Sequence, residues 1–127
     1  MPLSSDPSVT YNSQGNIVAA GTSLAAGATT SGATVDASSS SLGTWLSATV
    51  TFGTVAGTAG VTVAVYPAGD STPHYDTAAM WTYQIAATGS TTQQTSIFLP
   101  TGKYQVKLTN IDATNAVTYG LTSNPVA

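Results

Sequence analysis

The chain has 127 residues, the size of a single domain. Seven side chains are charged, two lysines and five aspartates, and there is one histidine and no cysteine. This composition excludes a basic nucleic-acid surface, a disulfide framework and a zinc–thiolate site. With one histidine and no glutamate, the chain has little material for acid–base catalysis or a metal cage, so we expect neither an enzyme nor a cofactor.

The sequence shows no sign of a membrane or secretory segment. No apolar run approaches the ~18 residues that a membrane span needs, so we expect no membrane partner. The first residues, Met-Pro-Leu-Ser-Ser-Asp-Pro, have neither a positive region nor an apolar stretch, so we expect no signal peptide. These features predict synthesis and assembly in a cytoplasm, which the absence of cysteine also fits.

Residues 1–43 are poor in aromatic residues and dense in serine, glycine, alanine and threonine. Such a composition buries too little apolar surface to order by itself, which predicts an extended N-terminal arm. Two short segments, 16–20 and 33–37, could add edge strands to a sheet supplied by the rest of the chain or by a neighbouring molecule.

Residues 44–127 alternate between apolar and polar side chains, which predicts a sandwich core of six strands. The alternating segments lie at 45–52, 61–66, 81–86, 97–99, 103–109 and 117–122. Turns rich in glycine, proline or asparagine separate them, and no segment has a helical period. With the two short N-terminal segments, this spacing predicts an all-β, antiparallel, jelly-roll-like β-sandwich, with an Ig-like sandwich as the alternative.

Several aromatic residues bear on the function. Three of them lie out of phase with the apolar face of their strands and are predicted to be exposed: Trp45, Tyr66 and Phe98. Such residues suit a subunit interface or a sugar-binding platform, and we favour the interface. Trp81 and Tyr83 share a face with Ile85, so they are predicted to belong to the core.

The segment 67–76 holds the only concentration of polar functional groups, namely Asp70, His74, Tyr75 and Asp76. These side chains could bind a sugar or a divalent cation, but calcium needs six to eight oxygen ligands and the spacing matches no known calcium loop. We therefore interpret the aspartates as turn-capping residues of a long loop. A triad of His74, Asp76 and a serine is not expected, because the sequence has no Gly-x-Ser-x-Gly elbow.

The low charge of the chain predicts association. Charged residues make up 6% of the sequence, and proteins that stay monomeric carry a larger share of them. Interface cores are depleted in lysine, glutamate and aspartate. The chain is therefore expected to work within an assembly, in which the N-terminal arm could order on a neighbour by strand addition.

The segment Leu-Pro-Thr-Gly-Lys-Tyr-Gln-Val-Lys-Leu-Thr-Asn at 99–110 resembles the turn and strand common in viral and cell-surface β-sandwiches. With its threonine-, alanine-, glycine- and serine-rich composition, the chain is similar over about 80 residues to small virion proteins of tailed bacteriophages, above all the capsid decoration (cement) proteins. The resemblance implies a β-sandwich that binds the major capsid protein or other virion proteins, often as a trimer. It implies contact area rather than catalysis, and no site residues.

Two functions follow as hypotheses. The first is a structural virion protein that stabilises an assembled capsid through uncharged surfaces and the N-terminal arm. The second is a carbohydrate-binding module, such as a virion-surface or tail adhesin domain. It would combine Trp45 with the loop at 67–76, where Asp70 and Asp76 accept hydrogen bonds from sugar hydroxyls.

Overall fold

The computed structural model describes residues 15–38, 42–53, 60–70 and 72–126. Within this part of the chain all regular structure is β, and no helix is long and apolar enough to cross a membrane. The strands are β1 (Gly15–Leu24), β2 (Ala33–Asp36), β3 (Gly43–Thr51), β4 (Val61–Ala68), β5 (Trp81–Ile85), β6 (Thr92–Leu99), β7 (Lys103–Asn110) and β8 (Val117–Val126).

The strands form two four-stranded sheets that pack face to face. The first sheet has the order β1-β8-β3-β6 and the second the order β2-β7-β4-β5, and all pairs are antiparallel. Two four-stranded antiparallel sheets with this strand order, between which the chain crosses repeatedly, form a jelly roll. The predicted all-β, jelly-roll-like sandwich is therefore confirmed, and the topology is not the Ig-like alternative.

The core lies between the sheets and is built from the alternating side chains of the long strands. Its fully buried members are leucines and valines: Leu46, Leu99, Leu108, Leu121, Val50, Val61, Val63, Val65 and Val106. Each such side chain stabilises the fold by about 1.5–3 kcal/mol relative to exposure. The opposite side chains of the same strands then form the two outer faces of the sandwich.

β1 and β2 occupy edge positions, one in each sheet, and overlap the segments 16–20 and 33–37. Leu24 at the end of β1 and Val35 in β2 are buried in the core. Residues 15–38 thus supply one edge strand to each sheet, and they also supply side chains to the core. Of the rest of the predicted arm, 1–14 and 39–41 lie outside the described residues, and Gly43 already begins β3.

The prediction that Tyr83 belongs to the core is wrong, and Trp81 is only half-buried. Tyr83 is 50% exposed although it pairs with the buried Val63, so it does lie on the inner side of its sheet. The reason is that β5 is an edge strand, where the facing sheet covers the inner side chains only in part: Ile85 is buried in the core, whereas Tyr83 is not. Alternation identifies the face of a residue but not its distance from the sheet edge.

Tyr104 fastens the turn between β6 and β7. Its side chain is buried, and its hydroxyl donates a hydrogen bond of 2.7 Å to the carbonyl of Pro100. Burial raises the pKa of the Tyr104 hydroxyl. A tyrosine that bonds the backbone a few residues upstream in this way fixes the corner between two strands of a β-sandwich.

The loop between β7 and β8 is held by a buried polar network around Asn110 and Asp112. The Asp112 carboxylate accepts hydrogen bonds from the side-chain amide of Asn115 at 2.9 Å and from the amide and hydroxyl of Thr114 at 2.8 and 2.9 Å. These bonds, led by the one from the Asn115 side chain, lower the pKa of Asp112 to about 2. The Asp112 carbonyl also accepts from the amide of Gly27, which ties this loop to the β1–β2 connection.

We expect this network to make the protein less stable as the pH falls from about 4 towards 2. The folded-state pKa of Asp112 lies below the ordinary value of 3.8, so its stabilisation is complete above that value and is lost as the pH falls through about 2. Urea unfolding of the wild type and of Asp112→Asn across this range should show a smaller pH dependence in the variant. An identical dependence in both proteins would contradict the assignment.

Candidate functional site: the neutral face

The β1-β8-β3-β6 sheet carries no charged side chain. Its four strands contain no aspartate, glutamate, lysine, arginine or histidine. Among the described residues, the charged side chains lie on the other sheet or in loops: Asp36, Lys103 and Lys107 on strands, and Asp70, Asp76 and Asp112 in loops. We call the outer surface formed by β8, β3 and β6 the neutral face.

The neutral face is a lattice of small polar side chains that bond one another across the strands. Three cross-strand pairs are hydrogen-bonded: Ser47–Ser96 at 2.8 Å, Thr51–Thr92 at 3.0 Å and Thr49–Gln94 at 3.4 Å. A hydroxyl that already has a protein partner keeps that bond when water is removed. Covering this face therefore costs less than covering the same number of unpaired polar groups.

An exposed aromatic pair stands at one end of the neutral face. Trp45 on β3 lies directly opposite Phe98 on β6, with ring centroids 5.4 Å apart at an interplanar angle of 68°. Each side chain is 38% exposed, as the alternation predicted. Edge-to-face packing holds the two rings in place, so they form a pre-ordered apolar anchor on a polar uncharged surface.

Tyr66 does not join this pair. It lies on the outer face of the other sheet, next to Val65, whose side chain is buried in the core. The ammonium of Lys107 lies 5.4 Å from the centroid of its ring. The structure thus brings together two of the three aromatic contact residues predicted from the sequence and places the third on the opposite side of the sandwich.

The loop at 67–76 is organised around Asp70. Its carboxylate accepts the backbone amide of His74 at 2.9 Å and is hydrogen-bonded to the imidazole Nδ1. The imidazole bond lowers the pKa of Asp70 and raises that of His74. Asp70 therefore caps a turn. Among the described residues, no three histidine or aspartate side chains converge as a metal site would require.

Replacing Asp70 with asparagine is expected to lower the pKa of His74 towards its ordinary value of 6.5, because the carboxylate hydrogen bond raises it. An NMR titration of the imidazole protons of the single histidine measures this directly. Asp76→Asn serves as the control and should leave the titration of His74 nearer to that of the wild type. Equal midpoints in the wild type and Asp70→Asn would contradict the pairing.

A shallow cleft lies beside this loop, at the edge formed by β2. The loop folds back so that Tyr75 bridges to Ala68, and a cavity of about 220 Å³ opens between it, β2 and β7. The lining residues are Thr34, Val35, Asp36, Pro73, Tyr75 and Lys103. Hydrogen bonds from Ser38 hold the pKa of Asp36 below its ordinary value. The cleft is thus lined by apolar groups of Val35, Pro73 and Tyr75 together with both signs of charge.

Trp45 and the polar loop lie on different sheets. Trp45 faces outward from the first sheet, whereas the loop joins two strands of the second, and the outer faces of a sandwich point in opposite directions. The structure therefore does not bring Trp45, Asp70 and Asp76 into one site. A ligand of the loop would instead meet Tyr75 and the residues of β2.

No protein-family model matches the sequence, and no curated protein matches it. Among solved structures, the chain is similar to the CBM22-1–GH10 modules of Clostridium thermocellum endo-1,4-beta-D-xylanase 10B complexed with xylohexaose, at 12% identity and a TM-score of 0.48. That match covers 87% of this chain and 28% of the other. The chain is also similar to infectious bursal disease virus Gx strain, at 16% identity and a TM-score of 0.45, covering 95% of this chain and 32% of the other. The function therefore has to be inferred from the residues of this chain.

Proposed function

We propose that this chain is a structural virion protein, a capsid decoration (cement) protein that binds an assembled capsid lattice through the neutral face. The observation that carries the proposal is the absence of charge from one whole sheet, combined with the exposed Trp45–Phe98 pair. The resemblance in composition and in the segment 99–110 supports a virion as the location and the major capsid protein or another virion protein as the partner.

The mechanism is passive. When a partner covers a face without charges, water is removed but no ion is left buried and unpaired. A buried unpaired ion is the largest free-energy cost of forming an interface. Trp45 and Phe98 would supply the buried anchors, and the surrounding threonines and serines would exclude water around them. Because the chain would bind the assembled shell and not its free subunits, binding would stabilise the shell by mass action.

Residues 1–14, the part of the predicted N-terminal arm that precedes β1 in the chain, are the second element of the proposal. Deleting residues 1–14 removes no described strand, whereas a deletion to residue 30 would also remove β1 and the core residue Leu24. We expect the shorter deletion to weaken particle binding while the sandwich still folds. Particle binding and particle thermal stability equal to those of the full chain would remove the arm from the mechanism.

The test is co-sedimentation with particles purified from cultures of the organism that encodes the chain. We expect the full chain to sediment with the particles and the double variant Trp45→Ala/Phe98→Ala to lose about tenfold or more in affinity. Ile111→Ala is the matched control, since Ile111 is 45% exposed but lies off the neutral face. Failure of the full chain to sediment with particles, or equal binding by both variants, would overturn the proposal.

The cleft beside β2 favours a second function, carbohydrate binding by an adhesin-like module. It offers a tyrosine ring at Tyr75 and hydrogen-bonding groups on Thr34, Asp36 and Lys103. A glycan array probed with and without calcium would then show binding that Tyr75→Ala abolishes and Trp45→Ala leaves intact. A blank array under both conditions would count against this function and leave the first untouched.

A further inference from the structure

We propose that two copies of this chain associate through β6, edge strand to edge strand, so that their β1-β8-β3-β6 sheets join into one continuous sheet. This contact would be made by the free protein in solution. It is independent of which macromolecule the neutral face binds.

The four edge strands of the sandwich differ in how well they are protected from pairing. β1 has two register shifts along β8, β2 has four residues and carries Asp36, and β5 has five residues. Short length, irregularity and charge are the devices that keep sheet edges from pairing with other chains. Each of these three strands has at least one such device.

β6 has none of these protections. It is eight residues long, pairs with β3 in unbroken register from Thr92 to Leu99, and contains neither a charged residue nor a proline. Within the described residues it is paired on one side only. Its other side therefore presents a straight row of backbone donors and acceptors, which is a template for an added strand.

The end of the sandwich at β6 also exposes aromatic surface. β5 and β6 are neighbouring edges of the two sheets, and Trp81 and Tyr83 on β5 stack with centroids 6.1 Å apart. Tyr83 is 50% exposed, and the chain from Asp76 to Lys103 contains no charged side chain between those two residues. A molecule docked at β6 would cover this surface without burying an unpaired charged side chain.

A second copy of the chain fits this edge by its own pattern. Antiparallel pairing must place inner residues opposite inner residues, and a two-fold axis through Thr95 or Ser96 does this for β6 against itself. No like charges meet, because the strand has none. Pairing about a two-fold axis gives a dimer and not the trimer that the resemblance implies.

The test is the mass in solution, measured by light scattering after size exclusion over a concentration series. We expect the wild type to reach twice the chain mass of 12.7 kDa. The double variant Gln94→Lys/Ser96→Lys places lysines of the two copies opposite each other, whether the two-fold axis passes through Thr95 or Ser96. We therefore expect its dimer affinity to fall at least tenfold. Asn16→Lys/Ser23→Lys makes the same charge change on β1, and its dimer should persist.

A second readout needs no variant. Backbone amides of β6 should exchange with deuterium more slowly at high protein concentration than at low. The exchange rates of amides in the other edge strands, β2 and β5, should depend less on concentration. Circular dichroism checks that each lysine variant is folded, and if Gln94→Lys/Ser96→Lys is not, the exchange result decides. A monomer at all concentrations, a closed trimer, or a dimer unaffected by lysines on β6 would overturn the proposal.

Discussion

Replacing Asn110 with alanine is expected to lower the free energy of unfolding by roughly 3 kcal/mol. The side chain is 1% exposed and its amide donates to the carbonyls of Leu24, Ala25 and Asn115 at 3.4, 3.3 and 2.8 Å. Its Oδ1 accepts the backbone amide of Asp112 at 3.1 Å. Alanine would leave these groups without their partner in a place that water does not readily reach, and each unsatisfied group costs about 1–3 kcal/mol.

Urea unfolding monitored by circular dichroism measures this loss. Asn16→Ala is the control, because Asn16 is an exposed asparagine on β1, and the change there should stay within about 0.5 kcal/mol. Asn110→Asp separates hydrogen bonding from packing, since it keeps the shape but removes the amide donor. We expect it to be destabilised as much as the alanine variant, and a stability near that of the wild type would contradict the role assigned to the amide.

Replacing Gly43 with alanine is expected to cost roughly 2–4 kcal/mol of stability. Gly43 begins β3 with a φ of 122°, a conformation that side chains other than glycine rarely adopt. A Cβ there would lie 2.2 Å from the Leu99 carbonyl oxygen and 2.9 Å from Cζ of Phe98. The ends of β3 and β6 would have to separate, which also disturbs the Trp45–Phe98 pair.

Gly53→Ala is the matched control, beyond the other end of the same strand. A Cβ at Gly53 meets nothing within 4 Å, and its φ is not positive. Alanine there should be neutral or stabilise by about 0.4–1 kcal/mol, because it restricts the unfolded chain. Thermal unfolding of both variants measures the contrast, and equal midpoints would show that the close approach of Gly43 to Leu99 does not constrain the fold.

Much of the fold follows from period-two patterning. The segments 45–52, 61–66 and 81–86 correspond to β3, β4 and β5 because apolar and polar residues contrast strongly there. The alternation predicts β6 only at 97–99, although the strand begins at Thr92. Its inner positions include Gln93 and Thr95, so the contrast between the two faces is weak over its first half.

The proposed binding surface depends on which strands pair, and the pairing does not follow from the sequence alone. The uncharged segments at 15–24, 43–51, 92–99 and 117–126 are visible in the sequence, but only the order β1-β8-β3-β6 places them in one sheet. The buried network of Asn110 is likewise not predictable from the sequence, because it joins residues 86 positions apart in the chain. Aspartate and asparagine at 110–115 indicate a turn but not its partner.

The most direct test of the proposed function is a reconstruction, by electron cryo-microscopy, of the particles used for co-sedimentation after incubation with the full chain. We expect density for the sandwich on the outside of the shell, with β3, β6 and β8 facing the shell and Trp45 and Phe98 buried in the contact. A particle that lacks the chain, or one in which the neutral face points to solvent and the cleft beside β2 makes the contact, would contradict it.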